Sequence, residues 1–174
     1  MSCPDIARLD AKTFAKAIGE LADLLADAVG SGASVGFVLP FDASEAAAWW
    51  RGQAADVTAR RLVVLAASID GRLVGTVQLR LAQLPNARHR AEVAKLLVHR
   101  SVRRRGVGRA LMTAIENEAR EASRTLLVLD TETGSEAERL YLSLGWTFVA
   151  AIPRWGENPS GGLRPTSIYY KEVV

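Results

Sequence analysis

The sequence predicts a mixed α/β domain on a mostly antiparallel sheet with one parallel pair, and three observations carry that prediction. Two strand-like runs, Arg61 to Ser68 and Arg72 to Leu81, flank Ile69-Asp70-Gly71. Asp-Gly is a strong signal for a tight hairpin turn, so these two should be antiparallel. Two further runs, Ala91 to Val98 and Thr125 to Asp130, flank a helical stretch from Val107 to Ala122. Strands joined through such a helix pair in parallel by a right-handed crossover. Finally, helical periodicity elsewhere supplies layers to cover the sheet.

Taken in order, Phe14, Ala17, Ile18, Leu21, Leu24, Leu25 and Ala28 recur at helical spacing from Thr13, and Gly30 stands where a helix stop is expected. Asp42 and Glu45 are spaced as a capping box, opening a second helix that carries Ala46, Trp49, Trp50, Ala54 and Val57 toward Arg60. After the hairpin, Pro85 to Arg90 is a polar loop, followed by the strand, helix and strand already described. The helix places Leu111, Met112, Ile115 and Ala119 on one face. Ser135 to Leu144 reads as a short helix closed by Gly145, Trp146 to Ile152 as a strand, Pro153 to Pro165 as a Gly/Pro-rich loop, and Thr166 onward as a last strand. No repeat, linker or low-complexity tract divides the chain, so residues 1–174 are expected to form one domain.

Composition narrows the function classes. With 49% apolar and 24% charged residues, the chain is an ordinary soluble globule rather than a disordered one. A domain of this length buries roughly 70% of its unfolded surface and needs no disulfide or metal to hold a core. One cysteine and two histidines cannot build a zinc cage, and nothing suggests an oxidising compartment, so a cytoplasmic protein without a metal is expected. No apolar run has the 18 or so residues of a membrane span, and Asp5, Arg8, Asp10 and Lys12 interrupt the stretch a signal peptide would need. The net charge of +3 is unevenly placed: residues 88–109 hold eight of the 22 basic groups and one acid, Glu92, whereas the rest carries −4. Such concentration points to a local anion site, and a nucleic-acid face, which would spread its Lys and Arg, is not expected.

That site centres on Arg103-Arg104-Arg105-Gly106-Val107-Gly108-Arg109-Ala110, between a predicted strand and a predicted helix. Glycine lets backbone approach a ligand, and the first N–H groups of a helix lack internal partners. With the helix dipole and nearby arginines, a pyrophosphate is the natural occupant. A P-loop would need Lys then Ser or Thr after the last glycine, but Arg109-Ala110 follows. A dinucleotide fingerprint would need a small residue where Leu111 stands, so that reading is weak.

The arrangement of Lys95-Leu96-Leu97-Val98, a short connection, Arg103-x-x-Gly106-x-Gly108 and a helix resembles the acetyl-CoA motif of the GNAT superfamily of N-acetyltransferases. Tyr141 before Leu144-Gly145-Trp146 matches as well. Gly32 to Phe37, Ala91-Glu92-Val93, Leu129 to Glu132 with Gly134-Ser135, and Pro165-Thr166 before Ile168-Tyr169 look like the tabtoxin resistance acetyltransferases. The resemblance implies helices on both faces of the sheet and a parallel pair splayed around the CoA site. It implies acetyl-CoA as cosubstrate and the amine of a small molecule, such as a toxin or antibiotic-like compound, as acceptor; a protein or peptide amine is the alternative.

Residue by residue, the resemblance implies that backbone of Leu96, Leu97 and Val98 pairs with the pantetheine arm, with a bulge aiming an N–H at the thioester oxygen. Arg103, Arg104, Arg105, Gly106, Val107, Gly108, Arg109 and Ala110 would hold the diphosphate, and Ser135 would join the cofactor site. Gly134 stands where the family often has Asn, removing one contact to the pantetheine arm. An alkyl amine is neutral only about one part in a thousand near neutral pH, a cost of roughly 4 kcal/mol, so a carboxylate base helps. Glu92 and Asp130 are placed to face one cleft and relay the proton. Tyr141 matches the tyrosine that protonates the leaving thiolate. Ser34, Gly36 and Phe37 are expected to line the acceptor cleft as a loop.

Two other classes compete. Gly32-Ala33-Ser34-Val35-Gly36 satisfies the G-x-S-x-G pattern of a hydrolase nucleophile, but an elbow needs a strand before Ser34 and a helix after it, and the sequence predicts neither. A CoA-binding regulator without catalysis would use the glycine turn alone.

Overall fold

The structure, a computed structural model, describes residues 3–174. Seven strands form one sheet, introduced here in chain order: β1 (Asp5–Arg8), β2 (Leu62–Ile69), β3 (Arg72–Leu81), β4 (Arg90–Val98), β5 (Leu126–Glu132), β6 (Thr147–Glu157) and β7 (Leu163–Glu172). Their order across the sheet is β1-β2-β3-β4-β5-β7-β6. Every neighbouring pair is antiparallel except β4 and β5. The helices are α1 (Ala11–Gly30), α2 (Ala43–Gly52), α3 (Ala54–Thr58), α4 (Val107–Glu121) and α5 (Glu136–Ser143). The mixed, mostly antiparallel fold expected from the sequence is the fold observed.

Alternation along β2 explains the two-layered core. Val63, Leu65 and Ala67 join one apolar cluster with Leu111, Met112 and Ile115 of α4. Leu62 and Val64 point the other way, into a second cluster with Leu21, Leu25 and Trp50 of α1 and α2. A strand buried on both faces must read as a continuous apolar run, as Leu62 to Ala67 does. Trp50 is fully buried and its indole N–H donates to the Leu21 carbonyl at 3.0 Å, which satisfies the polar atom that burial would otherwise strand. Among the described residues no helix is long and apolar enough to cross a membrane.

Local signals were accurate where chemistry fixes geometry. Asp42 caps α2 in a full capping box with Glu45. The Asp70-Gly71 hairpin has positive φ at both central residues, 51° and 75°, as its primed turn requires.

Three expectations are corrected. Two helices were expected to open the chain, but β1 precedes them and pairs with β2 at the sheet edge. The second helix does not run unbroken to Arg60: it stops at Gly52 and restarts as the short α3. The tract from Pro153 to Pro165 is largely strand. Pro153 is tolerated because β6 is an edge strand and bulges between Ile152 and Gly156. Pro165 falls past the last β5 pair, Glu132↔Thr166, and opposite the β6 bulge, so no ladder bond needs its missing N–H.

Candidate active site

The parallel pair is brief, and its divergence creates the site. β4 and β5 pair only through Arg90↔Leu126, Ala91↔Leu127 and Glu92↔Val128. Beyond Glu92, β5 continues along β7 to Glu132, while β4 stays with β3. The side of β4 that faced β5 therefore has no strand partner over Leu96 to Val98. Here β4 bulges: Gln78 opposes Ala94 but Thr76 opposes Leu97, which leaves one extra residue on β4. Lys95 takes it up with φ of 52°.

A cavity of about 1150 Å³ fills the gap. Its lining includes Leu96, Leu97 and Val98 of β4, the turn residues Arg103, Arg104, Gly106, Val107, Gly108 and Arg109, Ser135, and the loop residues Ser34, Gly36 and Phe37. Glu92, Asp130 and Tyr141 line it too. Arg105 and Ala110 do not, and the Ala110 N–H already donates to the Gly106 carbonyl at 3.0 Å, so the free donors of the turn end at Arg109.

The turn presents its donors without a side-chain cap. Gly106, at φ of 82°, precedes α4, and among the described residues no side chain caps the helix's first N–H groups. A Cβ on Gly108 would lie 3.3 Å from Leu140 Cδ2, so the glycine permits α4 and α5 to meet closely here. Arg103 is tied inward, donating to the Val98 carbonyl at 3.1 Å and to Ser31 Oγ at 2.7 Å. Arg109 donates to Ser143 Oγ at 2.8 Å, and Arg104 forms an exposed pair with Glu136 at 3.3 Å.

Parallel register puts the carboxylates on one face. Glu92 opposes Val128, and Asp130 is two residues further along β5, so both point the same way. Both are exposed to the cavity, and neither forms an ion pair among the described residues. Tyr141 comes from α5 and packs between Trp146 and Tyr169, with ring centroids 6.0 and 6.1 Å away. Burial first, and the Asp130 charge second, hold its hydroxyl well above the ordinary phenol range, so it stays protonated. Ser135 Oγ lies 3.2 Å from Thr131 Oγ1 at the start of the same helix.

Ser34 sits in irregular backbone after α1, with no strand before it and no helix until Ala43. That is not a nucleophile elbow. Among the described residues no three His, Cys, Asp or Glu side chains gather as metal ligands.

Two lining residues, Arg139 and Glu157, escaped the sequence reading, and Lys95 entered it only as the first residue of the β4 motif. Lys95 carried a signal only as a polar residue within an apolar strand. Trp155, though 57% exposed, lies within the β6 bulge and borders the cavity.

A mixed sheet whose parallel pair opens beside a glycine turn and an uncapped helix start offers free backbone donors along the cavity, chemistry suited to an extended phosphate-bearing molecule. The model of the acetyltransferase (GNAT) family matches residues 32–146, and the chain belongs to that family. The fold agrees with solved structures at low identity. An N-acetyltransferase from Staphylococcus aureus Mu50 is 15% identical with a TM-score of 0.81, covering 99% of this chain and 100% of its own. The structure of yncA from Salmonella typhimurium with its cofactor acetyl-CoA is 22% identical with a TM-score of 0.78, covering 99% and 95%. The ribosomal-protein-alanine N-acetyltransferase of Brucella melitensis is 22% identical with a TM-score of 0.79, covering 97% and 99%.

Proposed function

We propose that the protein transfers the acetyl group of acetyl-CoA to the amine of a small molecule, a toxin or antibiotic-like compound, by direct attack in a ternary complex. One observation carries this reading: the unpaired, bulged stretch of β4 lies beside the uncapped start of α4, and Glu92, Asp130 and Tyr141 open onto the same cavity. The backbone of Leu96 to Val98 holds the pantetheine amides, and an N–H at the bulge donates to the thioester oxygen as charge develops there. The diphosphate rests on the N–H groups from Gly106 to Arg109.

Glu92 and Asp130 take the proton from the acceptor ammonium, directly or through water. The amine nitrogen then bonds to the acetyl carbon as the carbon–sulfur bond breaks, and the Tyr141 hydroxyl gives its proton to the departing thiolate. The second proton that the nitrogen sheds on becoming an amide restores the Tyr141 hydroxyl, directly or through water, while the first leaves the carboxylates for solvent. No residue carries the acetyl group in between, so Ser34 lines the acceptor end and has no covalent role. In support of a small acceptor, the Leu39 N–H donates to the Pro159 carbonyl at 2.9 Å, tying the loop after α1 to the turn between β6 and β7, and the neighbouring Val38 and Glu157 line the cavity.

The test is acetyl-CoA turnover against a panel of small amines, β-lactam dipeptides and lysine peptides, read as CoA release. Turnover confined to small amines is expected. Turnover of lysine peptides alone would replace the small acceptor with a protein amine, and no turnover despite acetyl-CoA binding would leave a regulator.

A further inference from the structure

Lys95 occupies a conformation that residues other than glycine rarely adopt, at the bulge of β4. An outlier of this kind, in a cavity wall and bearing a charge, calls for a function. Its ammonium lies 5.4 Å from the ring centroid of Trp49 on α2 and 5.9 Å from that of Phe37 in the loop after α1. Gly36 lies next to it: a Cβ there would stand 3.7 Å from Lys95 Nζ, so the loop passes within ordinary contact of the ammonium. Among the described residues Lys95 makes no hydrogen bond and no close ion pair. Burial first, and the Arg80 guanidinium second, hold its pKa below the ordinary lysine range, against the opposing pull of Asp130 and Glu92.

A cation in this position is unfavourable to a plain amine. The acceptor must enter as an ammonium and would be repelled by Lys95 unless it brings an anion of its own. Glu92, Asp130 and Lys95 line one cavity and together have the charge pattern of a zwitterion's complement. Partial burial beside the aromatic rings strengthens the ammonium's pull on an anion.

We propose that Lys95 is the receptor for a carboxylate on the acceptor, so that the substrates of this site are amino acids or short peptides bearing both a free amine and a free carboxylate. This rests on the acetyltransferase reading above and narrows its acceptor class. The acceptor carboxylate pairs with Lys95 while its amine lies between Glu92, Asp130 and the thioester.

The experiment compares the best carboxylate-bearing acceptor of the panel with its primary amide, in the wild type, Lys95→Gln and Lys95→Arg. The wild type should prefer the acid at least tenfold in kcat/KM. Lys95→Gln should bring that ratio close to one, chiefly by raising KM for the acid, and Lys95→Arg should retain a preference. Equal use of acid and amide by the wild type would overturn the assignment whatever the variants do. An equal fall of kcat for both acceptors in Lys95→Gln, with their ratio kept, would also overturn it and make Lys95 a partner of the carboxylate base. Failure of every amine to be acetylated would overturn the acetyltransferase reading as well, which separates the two failures.

Discussion

Replacing Lys171 with methionine removes the cation on which a buried carboxylate depends. Glu116 on α4 is 7% exposed. Lys171 Nζ on β7 donates to its two oxygens at 2.9 and 2.8 Å and to the Leu144 carbonyl at 2.6 Å. The Trp146 indole N–H adds a third donor to the carboxylate at 3.2 Å. The ammonium thus ties α4, whose start forms the glycine turn, to the end of α5, which carries Tyr141. Methionine keeps most of the apolar stem but leaves Glu116 with the indole alone. Breaking a buried pair on one side costs about 3–5 kcal/mol, whereas an exposed pair contributes less than about 1. The Lys171 side chain keeps 20% of its exposure, which places the loss at the lower end, about 3 kcal/mol. In a domain of this size that lowers Tm by about 6–12 °C. Urea unfolding followed by circular dichroism should show a lower midpoint with unchanged slope. The double variant Glu116→Leu, Lys171→Met should recover most of the loss, because removing both partners leaves no stranded charge. A loss below about 1 kcal/mol, or a double variant no better than the single, would refute the reasoning.

Gly108→Val should weaken acetyl-CoA binding by about 10- to 100-fold in calorimetry, the worth of one or two charge-assisted hydrogen bonds, with the domain still folded. Unchanged affinity would mean that the diphosphate lies elsewhere. Glu92→Gln and Asp130→Asn should lower kcat most at acidic pH, with the defect easing as rising pH supplies neutral amine from solution. Tyr141→Phe should behave oppositely: burial and the Asp130 charge keep this hydroxyl protonated, so the donor it removes is present throughout and its defect should persist or grow with pH. Full kcat in Tyr141→Phe over the whole range would return the residue to packing.

Much of this was legible along the chain. The hairpin, the capping box and the glycine turn are short-range devices, each specified by residues a few positions apart. The strand from Ala91 to Val98 and the helix after it gave away the parallel unit, and with it the place of Glu92 and Asp130 on facing elements. Less legible were segments whose structure depends on a distant partner. β1 is four residues, two of them charged, and is a strand only because β2 is there to pair with it. The prolines of β6 and β7 read as loop, since nothing local says that Pro153 falls at a sheet edge or Pro165 opposite a bulge.

The sequence by itself determined the central hairpin, the strand-helix-strand unit around the glycine turn and the residue types available for proton transfer, because these follow from turn chemistry, helix starts and side-chain chemistry within a few residues. Tertiary structure alone decided the cavity. Its width comes from two strands that part after Glu92, one wall from a bulge that brings Lys95 near Phe37 and Trp49, and another from the bulged stretch of β6 that holds Trp155. Strand divergence and bulges reflect how distant segments share hydrogen-bond ladders and core volume, and that competition is resolved only when the whole sheet packs.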